Sequence, residues 1–542
     1  MINPSHATVT SASPAWRGMF DDTSPNFHWW LTIPLMLGLT AVGLNVTALN
    51  LALPTIMTSL RAELQVAQWI QTGAMITSAV MTPSVGWLGA ALGNRRLYLL
   101  ALGVFISGSL LCGMAWSINS LISFRIVQAL GMGLLMPLTR VILFQAFPLD
   151  KRGLAVGVTT LGFSFGPMIG PVVSGYLLEH ATWRAIFYVN VPVGILSLGL
   201  AYLTLPAPRP QQRPRFDAIG WASISIFLIT FLLAVSRGRQ DGWDAPHILL
   251  LLVIALLAGV TFVVVELRIR QPFVELRLFK NVPFAMATVV NFFNTLSFMA
   301  TNFLVALFLQ HQLGYTPLQA AWMLMPSAVL VGIMSVMTGR LSDVMPPKVL
   351  IIVGLTLVAW CLFQFANFTV WTSVGLLTFW LTVRGFARAF IMAPLGAASM
   401  AALPESDLRM GAGLRGVSRG LASASSVALA ATWYQERLAV HTRRLAQEQS
   451  LTGYGRDELV QSLTLTFERL GDFGPVAQGK AFAMLNNLIR AEASLLSYHE
   501  TFIIVAGLSL LAILPTLWIS KTVRTTDAKI EGQPSSQQLA VS

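Results

Sequence analysis

Six arginines of this 542-residue chain lie inside long apolar segments, where charged side chains are rare. They are Arg125, Arg140, Arg384, Arg388, Arg415 and Arg419. None of the 23 acidic residues falls in the middle of such a segment. A guanidinium group binds carboxylate, sulfonate or phosphate through paired hydrogen bonds. These cations, which lack opposing carboxylates, therefore favour an anionic ligand over a cationic one.

The depth of each arginine in its segment suggests its role. An embedded arginine costs about 2.5 kcal/mol or more unless it faces a cavity and finds a partner. Arg140 and Arg415 lie near the ends of their segments, so we expect their side chains to extend to the membrane boundary. Arg384 and Arg388 are one helical turn apart near mid-depth, and Arg419 is comparably deep. We expect these three to line a cavity.

The rest of the composition indicates a polytopic membrane protein. Hydrophobic residues make up 55% of the chain and charged residues only 11%, against about 25% charged in an average soluble domain. A bilayer core of about 30 Å needs about 20 helical residues per crossing, and runs of this length predict fourteen spans. Their approximate bounds are 30–53, 68–92, 97–117, 120–145, 153–178, 186–205, 217–236, 247–267, 284–310, 318–340, 349–368, 372–397, 410–433 and 501–520. We therefore expect an all-α membrane protein.

The distribution of basic residues predicts the orientation of these spans. With both termini in the cytoplasm, the tails and the connections on that side hold 18 lysines and arginines, and the opposite short connections hold four. Cytoplasmic loops carry the excess of Lys and Arg, so both termini are predicted to be cytoplasmic. The formal charge of +12 is then a topology signal and does not indicate a nucleic-acid partner.

Other functional classes have little support in the sequence. Cys112 and Cys361 both lie in apolar spans, 249 positions apart, and predict neither a disulfide framework nor a metal cluster. There is no glycine-rich phosphate loop that ends in Lys and no nucleophile elbow. We expect no enzyme activity, no metal and no cofactor, with a membrane-bound enzyme or receptor as the alternative from another class.

One connection is much longer than the others. Residues 434–500, between spans 13 and 14, contain eight acidic and seven basic residues and should lie outside the cytoplasm. Leu459, Leu463, Phe467 and Leu470 have helical spacing, which predicts an amphipathic helix. The segment is either a folded surface loop or a docking platform for a partner protein.

A parallel repeat divides the chain into two halves. Gly86 at the end of span 2 recurs as Gly339 at the end of span 10, and Arg125 in span 4 recurs as Arg384 in span 12, at offsets of 253 and 259. Repeated halves of this kind rock around a substrate site at their interface. The predicted units are a tail (1–29), a six-helix half (30–205), two extra helices with their linkers (206–283), a second six-helix half that includes 434–500 (284–520), and a tail (521–542).

Several segments resemble, in order, the motifs of the major facilitator superfamily, in particular its fourteen-helix drug:proton antiporter group. They are Leu44–Ile56 in helix 1, Trp69–Gly73 at the start of helix 2, Gly86–Arg96 in the following loop, Arg125–Gly133 in helix 4, Gly166–Gly175 in helix 5 and Trp183–Gly194 in helix 6. The resemblance covers nearly the whole chain. It implies fourteen transmembrane helices, arranged as two six-helix halves plus two linking helices.

The resemblance also suggests which residues couple and gate transport. In helix 5, Gly166, Gly170 and Gly175 remove side-chain bulk and Pro167 breaks the backbone ladder, which allows close helix approach and a bend. Helix 5 can then pivot against its neighbours.

The loop and helix 4 motifs add three further residues. Gly86 allows a tight turn in the loop after helix 2, and Asp343 keeps the acidic residue of that motif in the second half. Arg125 belongs to the helix 4 motif, for which the resemblance implies a role in proton or substrate coupling.

Two departures from the family pattern matter. Ala90 stands where the first loop motif usually has Asp, so half of the implied cytoplasmic latch is missing. Asn45 stands where helix 1 of this group usually has an acidic residue, and an amide cannot exchange a proton. We assign Asn45, Gln128 and Asn294 to the substrate site as neutral hydrogen-bonding groups, beside Arg384, Arg388 and Arg419.

The sequence therefore predicts a multi-pass exporter of amphipathic toxic compounds in a bacterial inner membrane. The expected substrates are lipophilic organic anions or weak acids, with alternating access driven by the proton motive force. The alternative is a broad multidrug proton antiporter for cationic or neutral drugs, with His311, Glu179, His180 or Glu436 on the proton route. The expected partners are the small-molecule substrate, protons and the bilayer, and the resemblance adds a periplasmic adaptor and an outer-membrane channel.

Overall fold

The computed structural model describes residues 27–206, 215–451, 453–472 and 474–519. These residues form helices joined by short connections, without a strand. The principal helices are α1 Phe27–Leu60, α2 Trp69–Met81 continued by Ser84–Leu92, α3 Asn94–Gly113, α4 Ile118–Ala146, α5 Arg152–His180, α6 Asn190–Thr204, α7 Ala218–Asp241, α8 Pro246–Arg268, α9 Val282–Leu307, α10 Pro317–Val344, α11 Pro347–Phe365, α12 Val374–Ala401, α13 Leu408–Leu451, α14 Gly453–Arg469 and α15 Pro475–Leu511. The tails predicted over 1–29 and 521–542 lie outside the described residues, except for 27–29, which belong to α1.

Local sequence explains where two of the three arginine-bearing helices begin. The Ser117 hydroxyl accepts a hydrogen bond from the Ser120 backbone N–H at 3.2 Å and caps α4. In the second half, the Ser373 hydroxyl accepts from the Leu376 N–H at 3.3 Å and caps α12. Serine at this position satisfies one of the amide groups left without a partner at a helix start. The repeat therefore extends to the signals that start the helices.

Each predicted span coincides with a helix, and one of these helices is less apolar than the others. By length and hydropathy, twelve helices of the described chain can cross a membrane, and the two parts of α2, bent by 57°, bring the number to thirteen. The predicted span 410–433 lies within α13, which is helical but more polar than the others because it contains several arginines. Thirteen of the fourteen predicted spans are therefore present as helices long and apolar enough to cross a membrane, and the predicted span in α13 is not among them.

Helix α13 also runs well beyond its predicted end at residue 433. Its 44 residues extend about 66 Å at 1.5 Å per residue, roughly twice the thickness of a bilayer core. The segment 434–500 thus consists of the far end of α13, then α14, then the first part of α15. Its small core contains Val460, Ala481, Leu485 and Ile489.

The predicted amphipathic helix is confirmed as α14, Gly453–Arg469. Leu463 and Phe467 pack against the core of segment 434–500. Leu459 is 40% exposed, and Leu470 lies after the end of the helix and is 75% exposed. Two of the four apolar residues with helical spacing, Leu463 and Phe467, therefore cover this core.

The helices pack as two halves with the extra pair beside them. Helices α1–α6 form the first half, and α9–α13 with α15 form the second. The extra helices α7 and α8 pack on each other, and α7 also packs on α2 and α13, which come from different halves. The extra pair therefore covers one seam between the two halves.

The halves are joined at the end of the bundle where α2, α4 and α10 finish, which we call the basic end because its connections hold most of the lysines and arginines. There the Ser335 hydroxyl of α10 donates to the Gly157 carbonyl of α5 at 2.9 Å. A Cβ atom at Gly339 would lie 2.5 Å from the Gly153 carbonyl oxygen, so both glycines are needed for this close approach. The basic end is therefore closed in this conformation.

Candidate functional site

The structure divides the predicted substrate-binding residues among three places. The first is a buried network around Arg125 in the first half. Arg125 donates to the side-chain oxygen of Asn45, to Gln128 Oε1 at 2.6 Å and to the Ile70 carbonyl at 3.4 Å. The Gln128 amide in turn donates to the Ser109 hydroxyl at 2.6 Å. Helix α4 is thereby tied to α1, α2 and α3.

Within this network the amide of Asn45 occupies the place of the expected acid. Its oxygen accepts from the guanidinium of Arg125, while its own Nδ2 has no hydrogen-bond partner. Asn45 and Gln128 are 2% and 0% exposed, and their oxygens are used by Arg125. Asn45 and Gln128 therefore contact Arg125 and do not join the other proposed substrate ligands. The described acceptors of Arg125 are all neutral.

The second place is a small cavity inside the second half. It is lined by Asn294, Ser297, Phe298, Thr301, Val358, Arg384 and Arg388. The structure thus brings together three of the predicted ligands, which come from α9 and α12. Asn294 and Ser297 offer neutral hydrogen bonds, and Phe298 offers an apolar wall.

The two arginines of this cavity have few partners of their own. Arg384 donates to Asn302 Oδ1 at 2.7 Å, but its Nε and Nη1 are buried without a partner, as is Nε of Arg388. The Arg388 guanidinium carbon lies 3.0 Å from the centroid of the Phe298 ring, and that of Arg384 lies 5.3 Å from it. A buried donor without an acceptor costs free energy, so these N–H groups are available to a ligand.

The third place is a larger cavity between the halves, of about 430 Å³ including its opening. Its lining residues are Thr82, Met136, Pro137, Arg140, Asn291, Met400, Ala412, Arg415, Gly416 and Arg419. Arg419 therefore lies apart from the cavity of Arg384 and Arg388. Its Nη2 contacts the Met136 sulfur of the other half at 2.9 Å.

The expectation that Arg140 and Arg415 extend to the membrane boundary is wrong. Both line the cavity between the halves. Arg415 is only 6% exposed and donates to the Ser399 hydroxyl and, at 3.4 Å, to the Gly396 carbonyl. The two arginines lie near the ends of their helices, but they lie on the faces where α4 and α13 meet. Depth along a helix does not determine the direction in which a side chain points.

The arginines of the two cavities are close enough to repel one another. Arg388 interacts electrostatically with both Arg384 and Arg419. Arg419 also repels Arg140 and Arg415, which line the cavity between the halves with it. These five side chains form a line of positive charge from mid-depth to the basic end.

Asp343 links the two halves at the basic end. Its carboxylate accepts hydrogen bonds from the Gly153 and Leu154 backbone N–H groups at 2.6 and 3.0 Å. These amides are at the start of α5, where the helix dipole favours a negative charge. A salt bridge of 2.6 Å between Arg152 and Glu405 also spans the halves at this end.

The equivalent contact in the first half has no carboxylate, because Ala90 takes the place of Asp. The expectation that Gly86 allows a tight turn is wrong, because Gly86 lies inside the second part of α2, Ser84–Leu92. It packs against Met410, and Gly89 packs against Arg409, at the start of α13. Arg409 donates to Asn94 Oδ1 at 3.3 Å. The two sides of the closure are therefore chemically different, as the sequence indicates.

The helix 5 glycines have different surroundings. Gly166 packs directly on the backbone of Gly43 in α1, and a Cβ atom at Gly43 would lie 3.1 Å from Pro167 Cδ. The Gly170 carbonyl accepts from the Ser174 hydroxyl at 2.6 Å within α5. A Cβ atom at Gly175 would meet nothing within 4 Å, so the expected close helix approach is wrong at that position.

The described residues contain no group of three or more His, Cys, Asp or Glu side chains placed to hold a metal ion. The polar groups that converge in the two cavities are guanidinium, amide and hydroxyl groups. Guanidinium groups at these positions can bind an anion, and the amides can orient it.

Comparison with known proteins agrees with the helical fold. Residues 35–427 match the model of the Major Facilitator Superfamily. The chain is 27% identical over 494 residues to "Multidrug export protein EmrB" of Escherichia coli K12, covering 91% of this chain and 95% of that protein. It is 26% identical over 494 residues to "Fatty acid resistance protein FarB" of Neisseria gonorrhoeae, covering 91% and 96%. The fold is similar to the crystal structure of the human organic anion transporter MFSD10, with a TM-score of 0.57 and 14% identity, covering 91% of this chain and 100% of that one.

Proposed function

The chain belongs to the major facilitator superfamily, and on that premise we propose that it exports amphipathic organic anions across a bacterial inner membrane. The observation that carries this proposal is the cavity of Arg384 and Arg388, in which buried guanidinium N–H groups have no acceptor. Alternating access of the two halves would expose this cavity to each side of the membrane in turn. The basic end faces the cytoplasm in this proposal.

The chemistry of the cavity favours an anion with an apolar body. The described partner of Arg384 is the neutral amide of Asn302, so the charge of the pair Arg384 and Arg388 is not balanced by a carboxylate in that cavity. A carboxylate or sulfonate would accept from both guanidinium groups. Phe298 and Val358 would contact the apolar part of the ligand.

The names of the relatives support export and differ on the substrate. FarB is named for resistance to fatty acids, which are amphipathic carboxylates and fit the arginine cavity. EmrB is named for multidrug export, which favours the alternative function, a broad multidrug proton antiporter for cationic or neutral compounds. In that alternative, exposed residues such as Glu179, His311 and Glu436 would carry the proton.

The driving force follows from the charge of the substrate. Moving one negative charge out of a cell with a negative interior releases about 2.3 kcal/mol per 100 mV. Export of an anion can therefore use the electrical part of the proton motive force. This agrees with Asn45, because an amide in the place of the helix 1 acid cannot carry a proton.

The experiment that tests the proposal compares two permanently charged surfactants of equal chain length, decanesulfonate and decyltrimethylammonium. Neither can cross the bilayer by losing its charge. Uptake of each into inside-out membrane vesicles is measured with membrane potential and pH gradient imposed separately. We expect uptake of decanesulfonate with an interior-positive potential alone. Uptake of the cation that requires the pH gradient would reject the proposal and support the multidrug alternative.

We further propose that the external segment formed by the far end of α13, by α14 and by the start of α15 contacts a periplasmic adaptor, which would lead to an outer-membrane channel. Leu465, Val476 and Leu488 are at least half exposed there, which supports a binding surface. Substitution of all three by Ser should abolish co-purification of the adaptor encoded in the same cell and leave uptake into vesicles unchanged. Loss of vesicle uptake in this variant would instead indicate that the segment is needed for the transporter itself.

A further inference from the structure

The cavity between the halves is lined by arginines that come from both of them. Arg140 lies on α4 of the first half, and Arg415 and Arg419 lie on α13 of the second. Thr82 and Asn291 add neutral polar groups to the wall. Because Arg140 is near the end of α4 and Arg415 is near the start of α13, this cavity lies closer to the basic end than the cavity of Arg384 and Arg388.

The described partners of these three arginines are all neutral. Arg419 contacts the Met136 sulfur, and Arg415 donates to the Ser399 hydroxyl and the Gly396 carbonyl. The Nε atoms of Arg140 and Arg415 are buried without a partner. No acidic residue of the described ranges lines this cavity. The three charges repel one another, and this repulsion acts across the boundary between the halves.

We propose that this cavity is a second anion site and that an anion bound there allows the basic end to close. The proposal rests on the proposed export of organic anions and adds a site through which the substrate controls the conformation. Without an anion, Arg140 opposes the approach of Arg415 and Arg419. A carboxylate, sulfonate or phosphate group among them turns this repulsion into attraction between the halves.

The thermodynamic requirement for such control is met by the placement of the residues. A ligand shifts a conformational equilibrium only when it binds one state better than the other. Arg140 and the two arginines of α13 surround one cavity when the basic end is closed, and separation of the halves would take Arg140 away from the other two. An anion in the cavity therefore binds the closed state more tightly.

The line of arginines gives the site a place in the transport cycle. Arg419 is electrostatically coupled to Arg388 of the deeper cavity. An anion that enters from the basic end meets Arg140, Arg415 and Arg419 before it reaches Arg384 and Arg388. While the substrate occupies this first site, its own charge favours closure of the basic end.

The test measures closure of the basic end directly. Arg152 and Glu405 form a salt bridge across the halves at 2.6 Å, so the double substitution Arg152→Cys and Glu405→Cys places two thiols on either side of the closure. Cys112 and Cys361 are buried and are replaced by Ser. The rate of cross-linking by a short bis-maleimide is measured for the full chain in phosphatidylcholine nanodiscs. The added probes are decanesulfonate, inorganic phosphate and decyltrimethylammonium.

We expect an anion to raise the cross-linking rate by at least about fivefold, the lower end of usual coupling between sites, and decyltrimethylammonium to leave it unchanged. Arg140→Gln should raise the rate without any anion and abolish the response, because the repulsion is gone. Arg140→Lys keeps the charge and should keep the response. A response to decanesulfonate alone identifies the transported substrate as the occupant, and a response to phosphate as well identifies a site for small anions.

The inference is overturned if neither anion raises the rate, or if Arg140→Gln responds like the parent protein. Its failure is distinct from failure of the proposed function, which is measured by uptake of decanesulfonate into vesicles. Arg384→Gln should lose uptake and retain anion-dependent cross-linking. Arg268→Gln, an exposed arginine outside both cavities, is the matched control and should change neither measurement.

Discussion

The guanidinium of Arg384 donates to the side-chain oxygen of Asn302 at 2.7 Å, and the equivalent arginine of the first half, Arg125, donates to the side-chain oxygen of Asn45. The same pairing of α4 with α1 is thus repeated between α12 and α9. The two pairs differ in what surrounds them. Arg125 has further acceptors in Gln128 and Ile70, whereas two nitrogens of Arg384 have none. One half of the repeat therefore uses its arginine to join helices, and the other exposes it to a cavity.

The first prediction concerns the charge of this cavity. Arg384→Gln and Arg388→Gln each remove one guanidinium group that would bind the anionic head of the substrate. A hydrogen bond to a charged group contributes about 1.5–3 kcal/mol, so uptake of decanesulfonate at subsaturating concentration should fall by about 10- to 100-fold. The control Arg268→Gln should transport like the parent protein. Unchanged uptake in both cavity variants would remove this site from the transport path.

A second prediction follows from the amide in helix α1. Asn45→Asp places an ionisable carboxylate against Arg125, in the position that the family usually reserves for an acid. An ionised partner in the network can bind and release a proton, which the amide cannot. Uptake of decanesulfonate should then respond to an imposed pH gradient without a membrane potential, a response that we expect to be absent from the parent protein. If the variant folds and remains insensitive to the pH gradient, helix α1 does not control proton coupling in this chain.

The third prediction concerns the asymmetric closure of the basic end. Asp343→Asn keeps the size of the side chain but removes the negative charge from the start of α5. A charge at a helix start contributes about 0.3–2 kcal/mol, so the cross-linking rate between positions 152 and 405 should fall by about 2- to 30-fold. Ala90→Asp places a carboxylate near the start of α13 and should raise the rate. Changes of the same sign in the two variants would contradict this account of the latch.

The sequence predicts the membrane fold well because its signals are local. The length of apolar runs identifies the helices, and the order of motifs identifies the family and its repeated halves. Helix α13 is the instructive exception, since its arginines lower its hydropathy while its buried faces keep it within the bundle. The missing acid at Ala90 also correctly predicts the chemical difference between the two sides of the closure.

The composition of the site is harder to predict because it depends on the direction of side chains. The sequence predicts that Arg384, Arg388 and Asn294 lie together, and these residues share a cavity. The sequence predicts that Arg140 and Arg415 reach the membrane boundary, but they line the cavity between the halves. The rotation of each helix, which is set by tertiary packing, decides where these side chains point. The spacing of two residues on one helix gives the angle between them around the helix axis. It does not show which neighbouring helix they face.

The last prediction separates two glycines of one motif. In Gly166→Ala the new methyl group would overlap the backbone of Gly43, and backbone atoms cannot rotate away as a side chain can. Overpacking of this kind costs about 1–3 kcal/mol, so α1 and α5 should move apart, the midpoint of thermal unfolding should fall, and transport should slow. In Gly175→Ala the methyl group meets nothing within 4 Å, and alanine favours a helix over glycine by about 1 kcal/mol, so the midpoint should stay the same or rise. Thermal unfolding of both variants in the same detergent measures the difference, and equal destabilisation would mean that the motif acts through backbone flexibility rather than through the contact between Gly166 and Gly43.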